Sequence, residues 1–457
     1  MKYSTRILSY IEDYLKTNHI SQKEFSEETN MNIGTVSKIL NGIRPLSVRQ
    51  LDQVTSFMGL PAGELYDLYA EEVNTYGIHW RRLRPFFSRC AELEKLDCVK
   101  ILISRMAEFT SAAGFFETAE ALFMEGKYKV ACMLYETVIE SERKSYSDRL
   151  AMSHFRVFQI SRILHPKNYD SIIRFLPYRN RLEEPQMLDA LLMIAEAYFL
   201  NERWEEVTKY GIELHQCALS LLQYKSDQSF RKPALAYYGH GLLLESIGYT
   251  YMKRFDEAEA CISLYANLEQ IDNAPENIKI INRYKELGHA NRLSIGIKKG
   301  DERYIPDYLE FLNAHPEEIL EGLANLLEAA NRYEINIDYI LDLYSSHINL
   351  FHEASGQVDV GYQKELDMYR YTFFSYNLAI YYFNKKMVEK GLKNSLHCLH
   401  SSTIIKLDSY TVQIMTLFEF YRNDATLEQI ETYKSYCERV SMHEKISNTS
   451  NVSGIFI

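Results

Sequence analysis

The sequence is poor in the residues that turn or crosslink a chain, with only 19 Gly, 10 Pro and 7 Cys among 457 residues. Few turn residues, combined with apolar side chains spaced near 3.6 residues, predict an all-α protein. The cysteines are odd in number, scattered and never in CxxC spacing. This usage predicts reduced thiols, buried in the core of a cytoplasmic protein.

Long hydrophobic runs are also missing. The longest, ALLMIAEAYFL, is interrupted by Glu196 and is too short to cross a bilayer. The N-terminal segment has charges throughout and no cleavage site of small residues, so we expect neither a signal peptide nor membrane contact.

Motifs of common enzymes are absent: the sequence has no GxGxxG, GxxxxGK[ST], HExxH or GxSxG. His397 and His400 flank Cys398 at helical spacing, but no further metal ligands lie nearby, which favours a place in the core. We therefore predict a protein without catalytic residues, metal or cofactor.

The charge balance is acidic, with 62 Asp and Glu against 51 Lys and Arg and a net charge of −11. Such a chain repels phosphate backbones over most of its surface, so any contact with nucleic acid must be local. One stretch stands apart. From Thr29 to Leu51 the chain carries Lys38, Arg44 and Arg49 and no acidic residue.

Around this stretch the sequence predicts two short helices joined by a turn. Ser21 precedes QKEFSEET with Glu24 three residues on, which is a capping-box pattern. Asn32 is a good N-cap for IGTVSKIL, and Gly42 ends that helix. Small or apolar residues stand where the two helices must pack together: Phe25, Ser26, Met31, Val36 and Ile39.

The segment resembles the Cro/C1-type, lambda-repressor-like helix-turn-helix family in Ser21-Gln22, Asn32, Val36, Ile39 and Asn41-Gly42-Ile43. The resemblance implies duplex DNA as a partner, with contacts from Gln22, Asn32, Ile33, Gly34, Thr35, Ser37, Lys38, Asn41 and Arg44. Among these, Gln22, Asn41 and Arg44 would contact phosphates, and the exposed face of IGTVSKIL would face bases. Ile33 and Gly34 depart from the family pattern, which often has polar side chains there. The alternative is a helical hairpin whose exposed face is cationic by chance.

A second basic patch, with Arg81, Arg82, Arg84 and Arg89, follows a plausible linker at 74–79. We interpret it as the solvated face of a helix. The alternative is an auxiliary phosphate contact beside the reading helix.

The rest of the chain contains repeated helix-pair patterns of the tetratricopeptide type: a small residue, a tight turn, an aromatic residue, then a small and an aromatic residue. They lie at 115–140, 191–214 and 242–265, with a fainter copy at 375–399 and a loose fit at 152–176. One such pair cannot bury its apolar stripe alone, whereas stacked pairs can. We predict a TPR-like right-handed α-solenoid, and an irregular helical bundle is the alternative.

A repressor-type helix-turn-helix domain (residues 1–73, called the reader below) followed by such an array resembles the cytoplasmic peptide-pheromone receptors of the Rap, Npr, PlcR and PrgX group. Within this group it is most similar to the arbitrium-receptor-like (AimR-like) proteins. The resemblance implies a homodimeric transcription regulator whose array binds a short signalling peptide that modulates DNA binding. It gives the domains 1–73 (helix-turn-helix), 74–79 (linker), 80–445 (repeat, sensor and dimerisation domain) and 446–457 (tail). The alternative function is a DNA-binding scaffold whose array recruits a protein partner.

In tetratricopeptide units the first helix of each pair faces the ligand, and Asn amides can pair with a peptide backbone. The predicted peptide-binding residues are Glu120, Glu196, Phe199, His240, Tyr251, Asn282, Asn291, Tyr376, Asn377 and Asn384. Each of them is also open to the interpretation that it is a surface or packing residue.

Overall fold

The computed structural model describes residues 5–107, 109–145, 147–224, 231–354 and 362–452, and the side chains of 441–452 are not discussed. Within these ranges the regular structure is helical and includes no β-strand. No helix in the described part of the chain is long and apolar enough to cross a membrane.

The first half of the chain forms α1 (Arg6–Thr17), α2 (Gln22–Glu28), α3 (Ile33–Leu40), α4 (Val48–Phe57), α5 (Tyr66–Glu71), α6 (Trp80–Glu92), α7 (Leu96–Met106), α8 (Ala112–Met124), α9 (Tyr128–Ser141), α10 (Asp148–Leu164) and α11 (Tyr169–Phe175). Short 3₁₀ helices cover Val73–Tyr76 and Leu176–Arg181.

The second half forms α12 (Glu184–Leu200), α13 (Trp204–Tyr224), α14 (Ala234–Tyr251), α15 (Phe255–Tyr265), α16 (Ile278–Lys298), α17 (Ile305–Ala314), α18 (Ile319–Tyr333), α19 (Asp338–Leu343), α20 (Ser345–Ala354), α21 (Tyr362–Asn384), α22 (Val388–Ile404), α23 (Asp408–Phe420) and α24 (Leu427–Val452). Its 3₁₀ helices are Leu268–Gln270, Pro275–Asn277, Glu302–Tyr304, Pro316–Glu318 and Arg422–Asp424.

The chain divides into two compact units, each described here by itself. Unit 1 comprises Met1–Ser161 with Asp170–Glu183, and unit 2 comprises Arg162–Tyr169 with Glu184–Ile457. The predicted boundary at 73–80 lies inside unit 1. There the ring of Phe86 in α6 lies 4.9 Å from those of Tyr66 and Tyr69 in α5. The helices that follow the predicted reader therefore share its core.

The predicted linker at 74–79 is packed against its surroundings. Residues Val73–Tyr76 form a 3₁₀ helix, the Asn74 amide donates to the Arg105 carbonyl at 2.9 Å, and Arg82 donates to the Gly77 carbonyl at 2.8 Å. At the other end, α24 continues through 446–452, the first part of the predicted tail, and 453–457 lie outside the described residues.

Each segment with the repeat pattern folds as two helices joined by a short turn, and the turns of the three clear copies and of the fainter copy at 375–399 share one backbone conformation. Gly126, Glu202, Lys253 and Lys386 all have positive φ, between 54° and 74°. In each turn the next amide donates to the carbonyl five residues before it, as from Lys127 to Leu122 and from Arg203 to Tyr198. This is the Schellman end of a helix. The helices α2 and α6 end in the same way at Asn30 and Glu94, so this turn is a general helix end and does not by itself identify the repeats.

Unit 2 contains an unusually close contact between α13 and α14. A Cβ added to Gly241 would lie 2.7 Å from the His215 amide nitrogen and 2.8 Å from the Gly211 carbonyl oxygen. A Cβ on Gly211 would meet the Gly241 carbonyl oxygen at 2.8 Å in return. Since only hydrogen fits between these backbones, glycine at both positions sets the separation of the helices.

Candidate nucleic-acid interface and the interior of unit 2

The helix–turn–helix formed by α2 and α3 begins with a complete capping box. The Glu24 amide donates to the Ser21 hydroxyl at 3.2 Å, and the Ser21 amide donates to the Glu24 carboxylate at 2.8 Å. These hydrogen bonds lower the pKa of Glu24. The box satisfies two amides that would otherwise lack partners at the start of α2, as predicted from the sequence.

Packing between the two helices also follows the prediction: Phe25, Ser26, Met31, Val36 and Ile39 are all buried. Ser26 has a further task, since its hydroxyl donates to the Met31 carbonyl at 2.6 Å and ties α2 to the turn. Asn32 caps α3 by accepting from the Gly34 amide at 2.9 Å, and Gly42 after α3 has φ 63°. The local sequence alone thus predicts this segment.

The outer face of α3 and its flanks holds the residues for which DNA contact is predicted. Gln22, Asn32, Ile33, Gly34, Lys38, Asn41 and Arg44 are exposed, and Thr35 and Ser37 are half-buried. In the described part of the chain no ion pair engages Lys38, Arg44 or Arg49. These cations are therefore available to a phosphate backbone.

The second basic patch is arranged differently. Arg84 pairs with Glu117 at 2.7 Å, and Arg89 pairs with Asp52 at 3.0 Å and with Glu92 at 2.8 Å. Arg82 donates to backbone carbonyls, which leaves Arg81 exposed without an ion pair among the described residues. Three of the four arginines therefore bind partners within unit 1 rather than forming a solvated helix face.

The short helices α2 and α3 cross at the small residue Ser26, and Lys38 and Arg44 are exposed on and after α3. This arrangement defines a helix-turn-helix domain, a class of DNA-binding module. Residues 11–65 match the helix-turn-helix family model. The match indicates a sequence-specific DNA-binding regulator. No curated protein and no solved structure matches the chain.

The predicted peptide-binding residues divide between the units. Glu120 lies in unit 1, where its carboxylate forms a bidentate ion pair with Arg156 at 2.8 Å and accepts from the Tyr135 hydroxyl. A carboxylate with three such donors has little capacity left for a ligand. The other predicted residues all belong to unit 2.

Glu196 and His240 lie on α12 and α14, are half-buried, and form no hydrogen bond within the described residues. Burial raises the pKa of Glu196, against the opposing effect of Arg162, Lys232 and Arg231. Burial lowers the pKa of His240 to about 4, so its imidazole is neutral at pH 7. Partly desolvated polar groups without partners are sites where a ligand can supply the missing hydrogen bonds.

Phe199 and Tyr251 come together on Trp204. The Tyr251 ring stacks on Trp204 with centroids 3.9 Å apart. The Phe199 ring packs edge-on against Trp204, with centroids 5.6 Å apart. The Lys298 ammonium lies 5.5 Å from the Tyr251 centroid and pairs with Glu328 at 2.7 Å. The interior of unit 2 therefore offers an aromatic surface beside a partly buried ion pair.

The remaining candidates differ in their freedom to bind. Asn282 and Asn384 are exposed. The Asn291 amide donates to the Tyr265 hydroxyl at 2.7 Å, Asn377 is buried and donates to the Phe373 carbonyl at 2.9 Å, and the Tyr376 hydroxyl donates to Gln413. A backbone clamp from Asn291 or Asn377 would require these internal bonds to break.

Sequence reasoning missed Glu202, which joins parts of unit 2 that are far apart in the chain. Its carboxylate accepts from the Ser409 hydroxyl at 2.9 Å and from the buried Tyr369 hydroxyl at 3.2 Å. The Tyr369 ring also packs 5.9 Å from Phe199. No local pattern signals such a contact, because its partners lie more than 160 residues away.

Burial of imidazoles predicts that unit 2 loses stability in mild acid. Burial lowers the pKa of His215, His240 and His352 to about 4 and that of His397 to about 3. An unfolded chain binds these protons near pH 6.5, so the stabilisation is complete above that value and declines as the pH falls towards 4. We expect the melting temperature of unit 2, followed by calorimetry, to drop across this window.

The raised pKa values of Glu196 and Glu245 act in the opposite sense, so the test compares variants. The His397 ring stacks on His352 with centroids 4.1 Å apart, and His397→Phe keeps an aromatic ring there without a titrating group. This variant should show a shallower decline between pH 6.5 and 4. An unchanged slope would contradict the assignment.

Proposed function

We propose that the chain is a transcription regulator that binds a specific DNA sequence through α3 and is controlled by a short signalling peptide bound in a TPR-like array. It would act as a cytoplasmic homodimer. We propose no catalytic role, metal or cofactor. The observation that carries the DNA-binding part is the open surface of α3 and the residues after it, where Lys38, Arg44 and Arg49 are exposed and form no ion pair with the described residues of an otherwise acidic chain.

We propose a dimer because those cations are few. A reader with Lys38, Arg44 and Arg49 neutralises few phosphates, while the rest of the chain repels DNA. Two readers on one duplex double the favourable contacts. We expect the operator to be an inverted repeat with half-sites a whole number of helical turns apart, at about 34 Å per turn.

The peptide-binding part rests on unit 2. The segments at 191–214, 242–265 and 375–399 each fold as a helix pair, and stacked pairs of the tetratricopeptide type present their first helices on one face. Glu196 and His240 lie on such first helices and lack internal hydrogen bonds in the described part of the chain. A bound peptide would satisfy both and shift the population of array shapes.

Calorimetry with a library of peptides of about five to ten residues tests this part. We expect saturable binding of one peptide family at micromolar Kd or tighter. Glu196→Gln should weaken it roughly tenfold or more, because a hydrogen bond to a charged group contributes about 1.5–3 kcal/mol.

The matched control is Glu276→Gln, an exposed carboxylate of the same unit, which should leave the affinity unchanged. If no peptide binds and a protein partner is captured instead, the array is a recruiting scaffold. Equal losses in both variants would remove Glu196 from the site.

A further inference from the structure

The face of α3 has few groups that can read a base by paired hydrogen bonds. Such readout uses Arg or Lys on guanine or Asn and Gln on adenine, and of these residues IGTVSKIL contains only Lys38, in the last turn of the helix. The flanking asparagines are engaged: Asn32 accepts from the Gly34 amide at 2.9 Å, and Asn41 donates to the Ser37 carbonyl at 2.8 Å. Asn41 also donates to the Ser37 hydroxyl at 3.3 Å.

What this face does offer is an apolar side chain at its tip. Ile33 is the first residue of α3 and is 51% exposed, whereas Val36 and Ile39 of the same helix are buried. Its neighbour Gly34 has no side chain, and an added Cβ would lie 3.2 Å from the Asn32 carboxamide oxygen. The start of a reading helix is the part that enters the major groove most closely. An uncovered isoleucine at this point can contact an apolar group in the groove.

The C5-methyl group of thymine is the apolar group that base pairs display in the major groove. We infer that Ile33 reads thymine methyl groups, so that each half-site of the operator carries thymine under the start of α3. This inference rests on the proposed function and names what the reader recognises. Gly34 contributes by letting the helix backbone approach the base.

Replacing thymine by deoxyuridine removes the methyl group and keeps every hydrogen-bonding atom, which isolates the inferred contact. The operator is first selected from random duplexes with the full-length protein. Each thymine is then replaced in turn, and binding is measured by fluorescence anisotropy. We expect one or two positions per half-site to lose about fourfold in affinity each, the value of one buried methylene.

Specific DNA binding and methyl readout by Ile33 are tested separately by this experiment. If no duplex is enriched over random competitor, the chain does not bind specific DNA. If a duplex is enriched but no replacement by deoxyuridine changes its affinity, specific binding stands and methyl readout by Ile33 is wrong.

Variants assign the contact to one side chain. Ile33→Ala should bind the thymine and deoxyuridine operators equally at the sensitive position. Ile43→Ala removes the other exposed isoleucine near α3 (60% exposed), and Ile173→Ala removes one of similar exposure (48%) outside the reader. Both should retain the fourfold difference. Since Ile33 is exposed, its variant should keep the wild-type melting temperature, which confirms that the reader is folded.

A fourfold difference that survives in Ile33→Ala, or disappears in Ile43→Ala, would overturn the assignment to Ile33.

Discussion

Exchanging Lys38 and Arg44 together for alanine is expected to weaken binding to every DNA sequence and to flatten its salt dependence. Both side chains are exposed, and no ion pair engages them within the described residues. Each lost phosphate contact lowers the slope of log K against log[salt] by about 0.9, so the slope should fall by up to about 1.8 per protomer if both side chains contact phosphates. At 0.1 M salt this upper limit corresponds to roughly 60-fold in affinity per protomer.

The control is a variant with the same net charge, Lys279→Ala with Lys434→Ala, which removes two exposed lysines of unit 2. Its DNA affinity and salt slope should stay close to those of the wild type. If both double variants lose the same affinity, general charge rather than the α3 face governs binding. If neither loses any, the assigned face does not contact DNA.

Gly241→Ala is expected to destabilise unit 2 by about 2–3 kcal/mol, near the upper end for an overpacked core. The new Cβ would overlap backbone atoms of α13, namely the His215 nitrogen and the Gly211 oxygen, and backbone cannot rotate away as a side chain can. Urea unfolding of the full-length chain, followed at the transition of unit 2, measures the effect.

Gly211→Ala should cost a similar amount, and the double variant should cost less than the sum, since one separation of the helices relieves both overlaps. Gln216→Ala on the exposed side of α13 is the control and should stay within about 0.5 kcal/mol of the wild type. A tolerated Gly241→Ala would mean that α13 and α14 do not approach this closely.

Unit 1 shows how a signal would have to reach the reader. The packing of Phe86 on Tyr66 and Tyr69, and the ion pair between Arg89 and Asp52, join α6 to the reader helices α4 and α5. A reader that shares a core with the following helices cannot swing on a flexible linker. Control by a ligand would require those helices to move with it.

The helix-turn-helix segment was predictable in detail because its determinants are close neighbours in the chain. IGTVSKIL was predicted as a helix and forms α3 over the same residues, and the capping box, the buried Ser26 and the left-handed Gly42 all occur. Between α4 and α5 the chain turns at Gly63, which has φ 76°, and α5 begins only at Tyr66.

The candidate peptide site was predictable only as a set of positions on first helices. Helical periodicity selects which face a residue belongs to, but the pairing of its polar atoms depends on what the chain brings opposite it. The Glu120 carboxylate already accepts hydrogen bonds from Arg156 and Tyr135, whereas Glu196 forms no hydrogen bond with the described residues. The two glutamates look alike in the sequence.

The sequence by itself determined the helical class, the reader and its cationic face without acidic residues, because these depend on spacing, capping and charge within a few residues. Only the tertiary structure decided which polar groups keep free hydrogen-bonding capacity, that Arg84 and Arg89 are tied into ion pairs, and that Glu202 meets Tyr369. The physical reason is the separation along the chain over which each interaction acts. Periodicity and capping act over one or two helical turns, whereas ion pairs, buried hydrogen bonds and glycine contacts join residues that only folding brings together.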